Sequence, residues 1–203
     1  PLNGKPLIWY TIEAAREVFP DENICVSTDD SKIIEVVEQT GLKVPFVRPA
    51  ELATDTAGSW EVVKHAYDFY KEKGHHFKKI VMLQPTSPLR TGEHIREAWE
   101  LFENTPEADM VASVKKTKAN PYFTLFEANE KGLIHQSKEG NFKTRQECPE
   151  VFELNGAIYF LSQEGLEKKL NGVNFPIVPY IMGEWDSVDI DVKMDFELIQ
   201  LIF

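Results

Sequence analysis

One stretch of the chain, residues 79–93 (KIVMLQPTSPLRTGE), most constrains what the sequence can fold into. Residues 80–83 form an apolar run of the length expected of a strand buried on both faces. Residues 84–90 then carry amide, hydroxyl and guanidinium groups, and Thr91 is placed to cap a helix over residues 94–103. This order predicts a polar loop at the carboxyl end of a buried strand, where open α/β sheets bind ligands. A loop that merely connects two elements is the alternative.

The charge balance of the 203-residue chain narrows the classes of partner. Its formal net charge is -11 at pH 7, which argues against a nucleic-acid backbone or an anionic membrane as ligand. An anionic substrate would need local Lys and Arg side chains to offset this negative field. The two cysteines, Cys25 and Cys148, give no disulfide framework. No stretch reaches the length of a membrane span and no signal peptide is visible, so we expect a cytoplasmic protein.

Helical and β-prone segments alternate along the first part of the chain. Apolar spacing predicts helices over residues 7–18, 32–40, 60–73 and 94–103, and short β-prone runs predict strands over residues 23–28, 43–47, 80–83 and 109–114. Asp30 or Ser31 is placed to cap the second helix, and Ser59 the third. Such alternation predicts an α/β fold with right-handed crossovers and a mostly parallel sheet.

The pattern changes after Val114. Residues 122–127, 132–135 and 152–161 are typical of antiparallel strands joined by turns, and a helix over 163–170, a strand over 175–182 and a last helix over 192–203 follow. We interpret residues 115–151 as an inserted flap or dimerisation segment. The remaining residues, 1–114 and 152–203, would form one core.

Two aspartates near the end of the chain form the sharpest candidate site. If the segment is extended, alternation places Asp189 and Asp191 on one face and Val188 and Ile190 on the other. Two carboxylates at the mouth of a sheet are the hard oxygen ligands that Mg²⁺ prefers, with phosphates and waters completing the shell. The alternative is that Asp191 caps the last helix and Asp189 is simply exposed.

Arginine and amide side chains supply further candidates. Arg48 and Arg90 lie near predicted strand ends and Arg145 lies in the flap, and arginine suits recognition of carboxylate or phosphate. We assign Arg90 to substrate binding on this basis. Gly156, after Asn155 in an apolar strand, indicates a close backbone approach to a ligand or a simple bulge. No Ser-His-Asp arrangement, zinc spacing or Walker-type phosphate loop is present.

Four motifs together resemble the acylneuraminate cytidylyltransferases, or CMP-sialic acid synthetases. They are RPAELATDTAGS at residues 48–59, LQPTSPLRTGEHIREAWELF at 83–102, FELNGAIYF at 152–160 and WDSVDID at 185–191. The resemblance runs from Asn3 to the last helix. It implies a Rossmann-like nucleotidyltransferase fold of the glycosyltransferase-A type, a three-layer sandwich with a small β-rich dimerisation arm. It also implies that a homodimer converts CTP and a nonulosonic acid, N-acetylneuraminate in the first instance, into the CMP-sugar and pyrophosphate with Mg²⁺.

The resemblance also implies roles for particular residues. Asp189 and Asp191 match metal-binding aspartates, and Arg145 matches an arginine that reaches the substrate from the partner subunit. Other matches fall into two groups: sugar-binding residues at Gln84, Thr86, Ser87, Asn155 and Tyr159, and residues near the nucleotide at Arg48, Asp55 and Ser59. We expect Asp189, Asp191 and Arg145 to carry the catalysis.

The sequence departs from the family pattern at three places. Glu153 stands where some relatives have an arginine, and residues 171–173 stand where some have aromatic residues near the acyl group of the sugar. Family members also carry a strand and a phosphate loop before the position of Pro1. We expect the complete protein to have both, because losing an interior strand would expose apolar sheet edges.

The acyl preference is therefore open. The alternatives are the same reaction on Kdn, legionaminic acid, pseudaminic acid or Kdo, and a non-catalytic nucleotide-sugar-binding protein on this scaffold.

Overall fold

The computed structural model describes residues 1–54 and 56–202. The helices are α1 (Leu7–Arg16), α2 (Ser31–Glu38), α3 (Ser59–Glu72), α4 (Gly92–Glu103), α5 (Gln163–Leu170) and α6 (Lys193–Gln200). The strands are β1 (Lys79–Met82), β2 (Met110–Lys116), β3 (Phe126–Ala128), β4 (Ile134–Gln136), β5 (Phe152–Ser162) and β6 (Val178–Ile181). The predicted helices and most of the later strands are confirmed to within about three residues at their ends. The strand predicted over residues 122–127 begins only at Phe126. Within the described part of the chain, no helix is long and apolar enough to cross a membrane.

The central sheet has the strand order β1-β5-β2-β6. Strand β2 runs parallel to β6, whereas β5 runs antiparallel to both β1 and β2. Three of the four strands therefore point the same way, which agrees with the predicted α/β class. The long β5 lies between β1 and β2, and Tyr159 of its NGAIY motif is opposite both Met82 of β1 and Ala112 of β2.

Two predicted strands are wrong. Residues 23–28 and 43–47 make only one isolated parallel bridge, between Thr28 and Val47. Pro45 has no N–H to donate to a ladder. Ile24, Val26 and Val44 instead pack against a small cluster formed by Ile12, Val37 and Leu42.

The predicted caps had mixed outcomes. Asp30 caps α2 by accepting from the backbone N–H of Lys32 at 2.7 Å, and Thr91 caps α4 by accepting from the N–H of His94. Ser59 is wrong as a cap, because it is the first residue of α3 and Gly58 occupies the cap position. Gly58 has the extended backbone that an N-cap position normally adopts.

The main core lies between α4 and the sheet. Ile95, Ala98 and Phe102 repeat at helical spacing on one face of α4 and are buried against Val111 and Phe160 of the sheet. Such packing fixes the start of α4, and with it the polar loop that precedes the helix, against β5.

The segment after β2 forms a separate hairpin. Strands β3 and β4 pair with each other and not with the central sheet. The hairpin exposes Leu125, Phe126, Leu133 and Ile134, each at least 43% exposed. Lys115 and Lys116, however, still pair with β5. The inserted segment at 115–151 stays a prediction.

Candidate active site

A cleft of about 580 Å³ opens where β5, the segment that leads into α6 and the end of β2 meet. Among the predicted site residues, Asn155, Asp189 and Asp191 line it. Its remaining lining residues are Lys115, Glu153, Leu154, Glu184, Trp185, Ser187, Val188, Asp195 and Leu198.

Gly156 connects the three segments of the site. Its φ is +77°, and a Cβ atom there would lie 2.6 Å from Oε1 of Gln84 and 3.0 Å from Oδ2 of Asp189. The polar loop after β1 and the aspartate segment therefore converge on the same point of β5. Glycine is required here both for the left-handed backbone and for the space that its missing side chain leaves. A simple bulge therefore does not fully explain why a glycine occupies position 156.

The aspartate segment is held in place by a buried polar network around Asn155. The side-chain amide of Asn155 donates to Oγ of Ser187 at 2.9 Å, and its Oδ1 accepts from Oγ of Ser113 at 2.6 Å. The three side chains are at most 4% exposed. The backbone N–H of Ile190 also donates to the carbonyl oxygen of Thr86, at 2.9 Å. These bonds hold the segment against β2, β5 and the loop after β1.

The two aspartates differ in their surroundings. Oδ1 of Asp189 is buried and has no hydrogen-bond partner, whereas Asp191 is exposed. Val192, not Asp191, occupies the N-cap of α6, and the carboxylate of Asp195 accepts from the N–H groups of Asp191 and Val192. The alternative role of Asp191 as a helix cap is therefore wrong.

The carboxylates of Asp189 and Asp191 line the same cleft and are the candidate ligands for a divalent ion. The described residues contain no group of three or more His, Cys, Asp or Glu side chains able to hold a metal by themselves. Mg²⁺ does not need one, because it is commonly bound through one or two carboxylates together with substrate phosphates and waters. The unpartnered Oδ1 of Asp189 is the oxygen that such an ion would satisfy.

Arg90 lies inside the protein rather than in the cleft. It is 2% exposed, and its guanidinium donates to the carbonyl oxygens of Gln84 and Ala157 at 3.0 Å and to Oγ1 of Thr11 at 2.6 Å. Burial lowers the pKa of Arg90 to about 10. These contacts make Arg90 a residue that positions the loop, in place of the substrate contact that the sequence predicted.

Ser87 and Tyr159 are also enclosed. Ser87 is 0% exposed and its hydroxyl has no hydrogen-bond partner. Tyr159 is 7% exposed and meets the ring of Trp60 edge to face at 5.6 Å. The pKa of Tyr159 is raised, mainly by burial. A hydrogen bond with the backbone of Gly156 opposes this rise, and the charge of Asp189 adds to it. Tyr159 thus lies beside the point where the three segments meet, although it does not line the cleft itself.

Comparison with known proteins decides the family. A family described as Cytidylyltransferase matches residues 1–177. The chain belongs to this cytidylyltransferase family. It is therefore a nucleotidyltransferase, and the predicted resemblance to the acylneuraminate cytidylyltransferases is confirmed.

Three curated relatives span almost the whole cytidylyltransferase chain. The Post-translational flagellin modification protein B of Campylobacter coli is 30% identical over 99% of this chain and 85% of its own length. The N-acylneuraminate cytidylyltransferase of Escherichia coli O18:K1:H7 is 32% identical over 97% of this chain, which spans 46% of that protein. The CMP-N,N'-diacetyllegionaminic acid synthase of Legionella pneumophila is 30% identical over 98% of this chain and 85% of its own length.

Solved structures support the fold assignment. A CMP:2-keto-3-deoxy-manno-octonic acid synthetase superimposes with a TM-score of 0.70, at 14% identity, over 100% of this chain and 89% of the other. The 4-diphosphocytidyl-2C-methyl-D-erythritol synthase of Anaerococcus prevotii superimposes with a TM-score of 0.67, at 12% identity, over 100% of this chain and 87% of the other. At these identities the likeness concerns the fold alone, and it confirms the predicted nucleotidyltransferase architecture.

Arg48 and Ser59, two residues expected near the nucleotide of this cytidylyltransferase, lie outside the lining of the cleft. Arg48 donates from its guanidinium to Oγ of Ser27 at 3.1 Å and to the Ser27 carbonyl oxygen. Ser59 is exposed at the start of α3. Asp55 lies outside the described residues. The nucleotide-binding roles of these three residues remain predictions.

Arg145 lies in a second cavity, separate from the cleft. It is exposed in a short 3₁₀ turn, Arg145–Glu147, and shares the cavity with Lys116, Lys118 and Cys148. Within one copy of the cytidylyltransferase it therefore does not line the cleft. The predicted action of Arg145 on the substrate of a partner subunit remains a prediction.

Several residues of the site were missed from the sequence. Glu153 stood out in the sequence only as a departure from the family pattern, and Lys115 was not among the predicted site residues. The two are nevertheless cross-strand partners at the cleft. Ser113 and Ser187 were not singled out, although they satisfy the amide of Asn155. Two-residue alternation outward from Asn155 and Ser113 along β5 and β2 is the signal that identifies Glu153 and Lys115.

Proposed function

We propose that this cytidylyltransferase transfers CMP from CTP to an acidic nine-carbon sugar, with N-acetylneuraminate as the first candidate, and releases pyrophosphate. The names of the relatives, an N-acylneuraminate cytidylyltransferase and a CMP-N,N'-diacetyllegionaminic acid synthase, support a substrate of this class. The observation that carries the proposal is the meeting of Gln84 and Asp189 over Gly156 at the edge of the cleft. An amide and a carboxylate there can bind a polyhydroxylated acid and a metal-bound phosphate side by side.

The proposed reaction is an in-line displacement. The anomeric hydroxyl of the sugar attacks the α-phosphorus of CTP, a new P–O bond forms, and the bond to the leaving pyrophosphate breaks. The work of the protein is to position the two reactants and to offset the developing charge. Asp189 and Asp191 would hold Mg²⁺, which supplies charge neutralisation at the phosphate and acidifies a nearby hydroxyl. The hydroxyl proton passes to one of the two aspartates or to water.

The Asn155 network and Gly156 serve this chemistry indirectly. The bonds from Asn155 to Ser113 and Ser187 fix the segment that carries Asp189. The bare backbone of Gly156 lets the side chains of Gln84 and Asp189 both approach β5 at this point. Arg145 would complete the site from the second subunit of a homodimer, where its guanidinium can pair with an anionic group of sugar or phosphate.

Pyrophosphate release with CTP and a panel of sugar acids tests the proposal. The panel contains N-acetylneuraminic, Kdn, legionaminic, pseudaminic and Kdo acids, and ATP, GTP and UTP serve as nucleotide controls. We expect release with CTP and at least one nine-carbon acid, and loss of release when EDTA removes divalent ions.

Two variants sharpen this test. Asp191→Asn is expected to reduce turnover by orders of magnitude with the fold intact, whereas Asp68→Asn, on the exposed side of α3, keeps wild-type turnover. No release across the panel would refute the proposed reaction. Binding of a CMP-sugar without any release would favour the non-catalytic alternative. Near-normal activity of Asp191→Asn would remove the metal role of that residue.

A further inference from the structure

We propose that Lys115 is the cation which the cleft offers to an anionic oxygen of its substrate, and that Glu153 holds this ammonium group until the substrate arrives. The inference rests on the proposed function, because it requires a substrate that carries a carboxylate or a phosphate. Three features of the structure support this role: the negative charge of the cleft, the register between β2 and β5, and the long separation and partial exposure of the Lys115–Glu153 ion pair.

The cleft is strongly acidic for a site that takes anions. Among the described residues that line it, Lys115 is the one cation. Five carboxylates share this lining, those of Glu153, Glu184, Asp189, Asp191 and Asp195. A chain of net charge -11 adds no long-range attraction for an anion. A single divalent ion on the aspartates does not balance this charge, so an anionic substrate gains from a resident ammonium group.

Strand register commits Lys115 to the cleft. Lys115 and Glu153 are directly opposed on the antiparallel strands β2 and β5. Both follow by two-residue steps from Ser113 and Asn155, whose side chains hydrogen-bond to each other beneath the aspartate segment. The next residue, Lys116, belongs to the second cavity and pairs with Glu150 at 2.6 Å.

The ion pair between Lys115 and Glu153 is easily exchanged. Nζ of Lys115 lies 3.6 Å from Oε2 of Glu153, and the side chains are 33% and 52% exposed. This separation exceeds the roughly 2.7–3.2 Å of a direct hydrogen bond. Ion pairs with this much exposure contribute little to stability. A bound carboxylate or phosphate can therefore take the ammonium from Glu153 at small cost.

Distance along β5 places the pair at the outer part of the site. Glu153 and Gly156 are three steps apart on the strand, or about 10 Å. Asp189 lies against Gly156, so Lys115 and Asp189 stand at opposite ends of one groove. A ligand that spans the groove can place one anionic group at the metal end and another at Lys115.

Steady-state kinetics of three variants tests the inference. Lys115→Gln is expected to raise KM about tenfold, the loss expected of one charge-assisted hydrogen bond, with little change in kcat. Lys115→Arg keeps the charge and is expected to keep most of the affinity. Glu153→Gln removes the competing carboxylate and lowers the same KM about two- to threefold. Measuring KM separately for CTP and for the sugar acid shows which substrate carries the recognised anion.

A matched control separates local recognition from overall charge. Lys43→Gln removes the same charge from another loose pair, in which Nζ of Lys43 lies 3.9 Å from Oε1 of Glu38, outside the cleft lining. It should leave both KM values unchanged, and all four variants should melt at the wild-type temperature. If Lys115→Gln leaves both KM values unchanged in an active enzyme, the inference is wrong and the proposed function stands. A wild-type protein that releases no pyrophosphate with any panel acid overturns both.

Discussion

The backbone N–H of Ile190 donates a hydrogen bond to the carbonyl oxygen of Thr86, with 2.9 Å between nitrogen and oxygen. The bond ties the aspartate segment near the end of the chain to the polar loop in its middle. Because Asp189 precedes Ile190, its carboxylate is brought to Gly156, where the side chain of Gln84 also arrives. The site of this cytidylyltransferase is therefore made by two segments that meet across one glycine of β5.

The first prediction concerns that glycine. Gly156→Ala would force an alanine into a φ of +77° and place its Cβ 2.6 Å from Oε1 of Gln84. We expect a loss of about 1–3 kcal/mol in the free energy of unfolding, measured by urea denaturation, from the backbone strain. Pyrophosphate release should be nearly abolished, because the new methyl group displaces Gln84 and Asp189.

Gly172→Ala is the matched control for this substitution. Gly172 has a φ of +66°, but a Cβ there would meet no atom within 4 Å. Gly172→Ala should lower the free energy of unfolding by about 1–2 kcal/mol, because alanine is strained in a left-handed backbone. Turnover should stay unchanged. Equal turnover in the two variants would show that the crowding at Gly156 does not matter for catalysis.

The second prediction concerns the buried network. Ser187→Ala removes the hydroxyl oxygen that accepts a hydrogen bond from the side-chain amide of Asn155. The buried amide then lacks one of its partners. We expect a cost of about 1–3 kcal/mol in urea denaturation. We also expect a roughly ten- to hundredfold lower kcat, because the aspartates lose part of their support. Ser31→Ala, at the exposed start of α2, should change neither quantity. A normal kcat for Ser187→Ala would restrict the network to a role in stability.

The sequence allowed part of this site to be predicted, for identifiable reasons. Periodicity and caps located α2 and α4, and the apolar runs on either side of α4 located β1 and β2. The polar loop after β1 lies at the end of a strand, as expected. Alternation placed Asp189 and Asp191 at one cleft. The strand prediction was wrong for residues 23–28 and 43–47. High β propensity shows that a segment can fit into a sheet, but it does not show that a neighbouring strand is present to pair with it.

The direction in which a polar side chain points was harder to predict. Arg90 and Asn155 both looked like ligand contacts, but their hydrogen bonds go to protein groups. A buried polar group has to be satisfied, and the chain alone does not reveal whether protein or ligand satisfies it. The Lys115–Glu153 pair was missed for a related reason, since it depends on the register between β2 and β5.

The third prediction tests Arg90 as a positioning residue. Arg90→Lys loses the planar fork that bonds Gln84, Ala157 and Thr11 at once, and it leaves buried acceptors unpaired. We expect a loss of about 3 kcal/mol in the free energy of unfolding. The matched control is Arg96→Lys, at a half-buried residue of α4 paired with Glu93, which should stay within about 0.5 kcal/mol of wild type. An equally small effect at Arg90 would contradict its structural role.

The fourth prediction concerns alkaline pH. Burial raises the pKa of Cys25 from 9.0 to about 11, against an opposing hydrogen bond with Tyr70. Above pH 9 the unfolded chain releases this proton first, so the stabilising contribution is complete below pH 9 and is lost as the pH approaches 11. The free energy of unfolding should fall by up to about 1.4 kcal/mol per pH unit across this window. Urea denaturation at pH 8 and pH 10 measures it.

Substitution isolates the contribution of this thiol. Cys25→Ala should be destabilised at pH 8, yet it should lose less stability than wild type between pH 8 and pH 10. Cys148→Ala, which changes the thiol in the short turn after Arg145, should keep the wild-type slope. Identical slopes in wild type and Cys25→Ala would mean that Cys25 does not titrate differently in the folded and unfolded chains.

The fifth prediction uses two inactive variants to test whether Arg145 acts across a homodimer. Arg145→Ala keeps the aspartates of its own cleft, and Asp189→Asn keeps an intact Arg145, so each variant alone should release almost no pyrophosphate. In a mixed dimer, one site would combine Asp189 of the first chain with Arg145 of the second. Random exchange of equal amounts should restore about a quarter of wild-type activity, since half of the dimers are mixed and each has one complete site. Mass spectrometry of differently tagged chains would verify the exchange. Mixed dimers that form and stay inactive would show that Arg145 does not act in the partner's cleft.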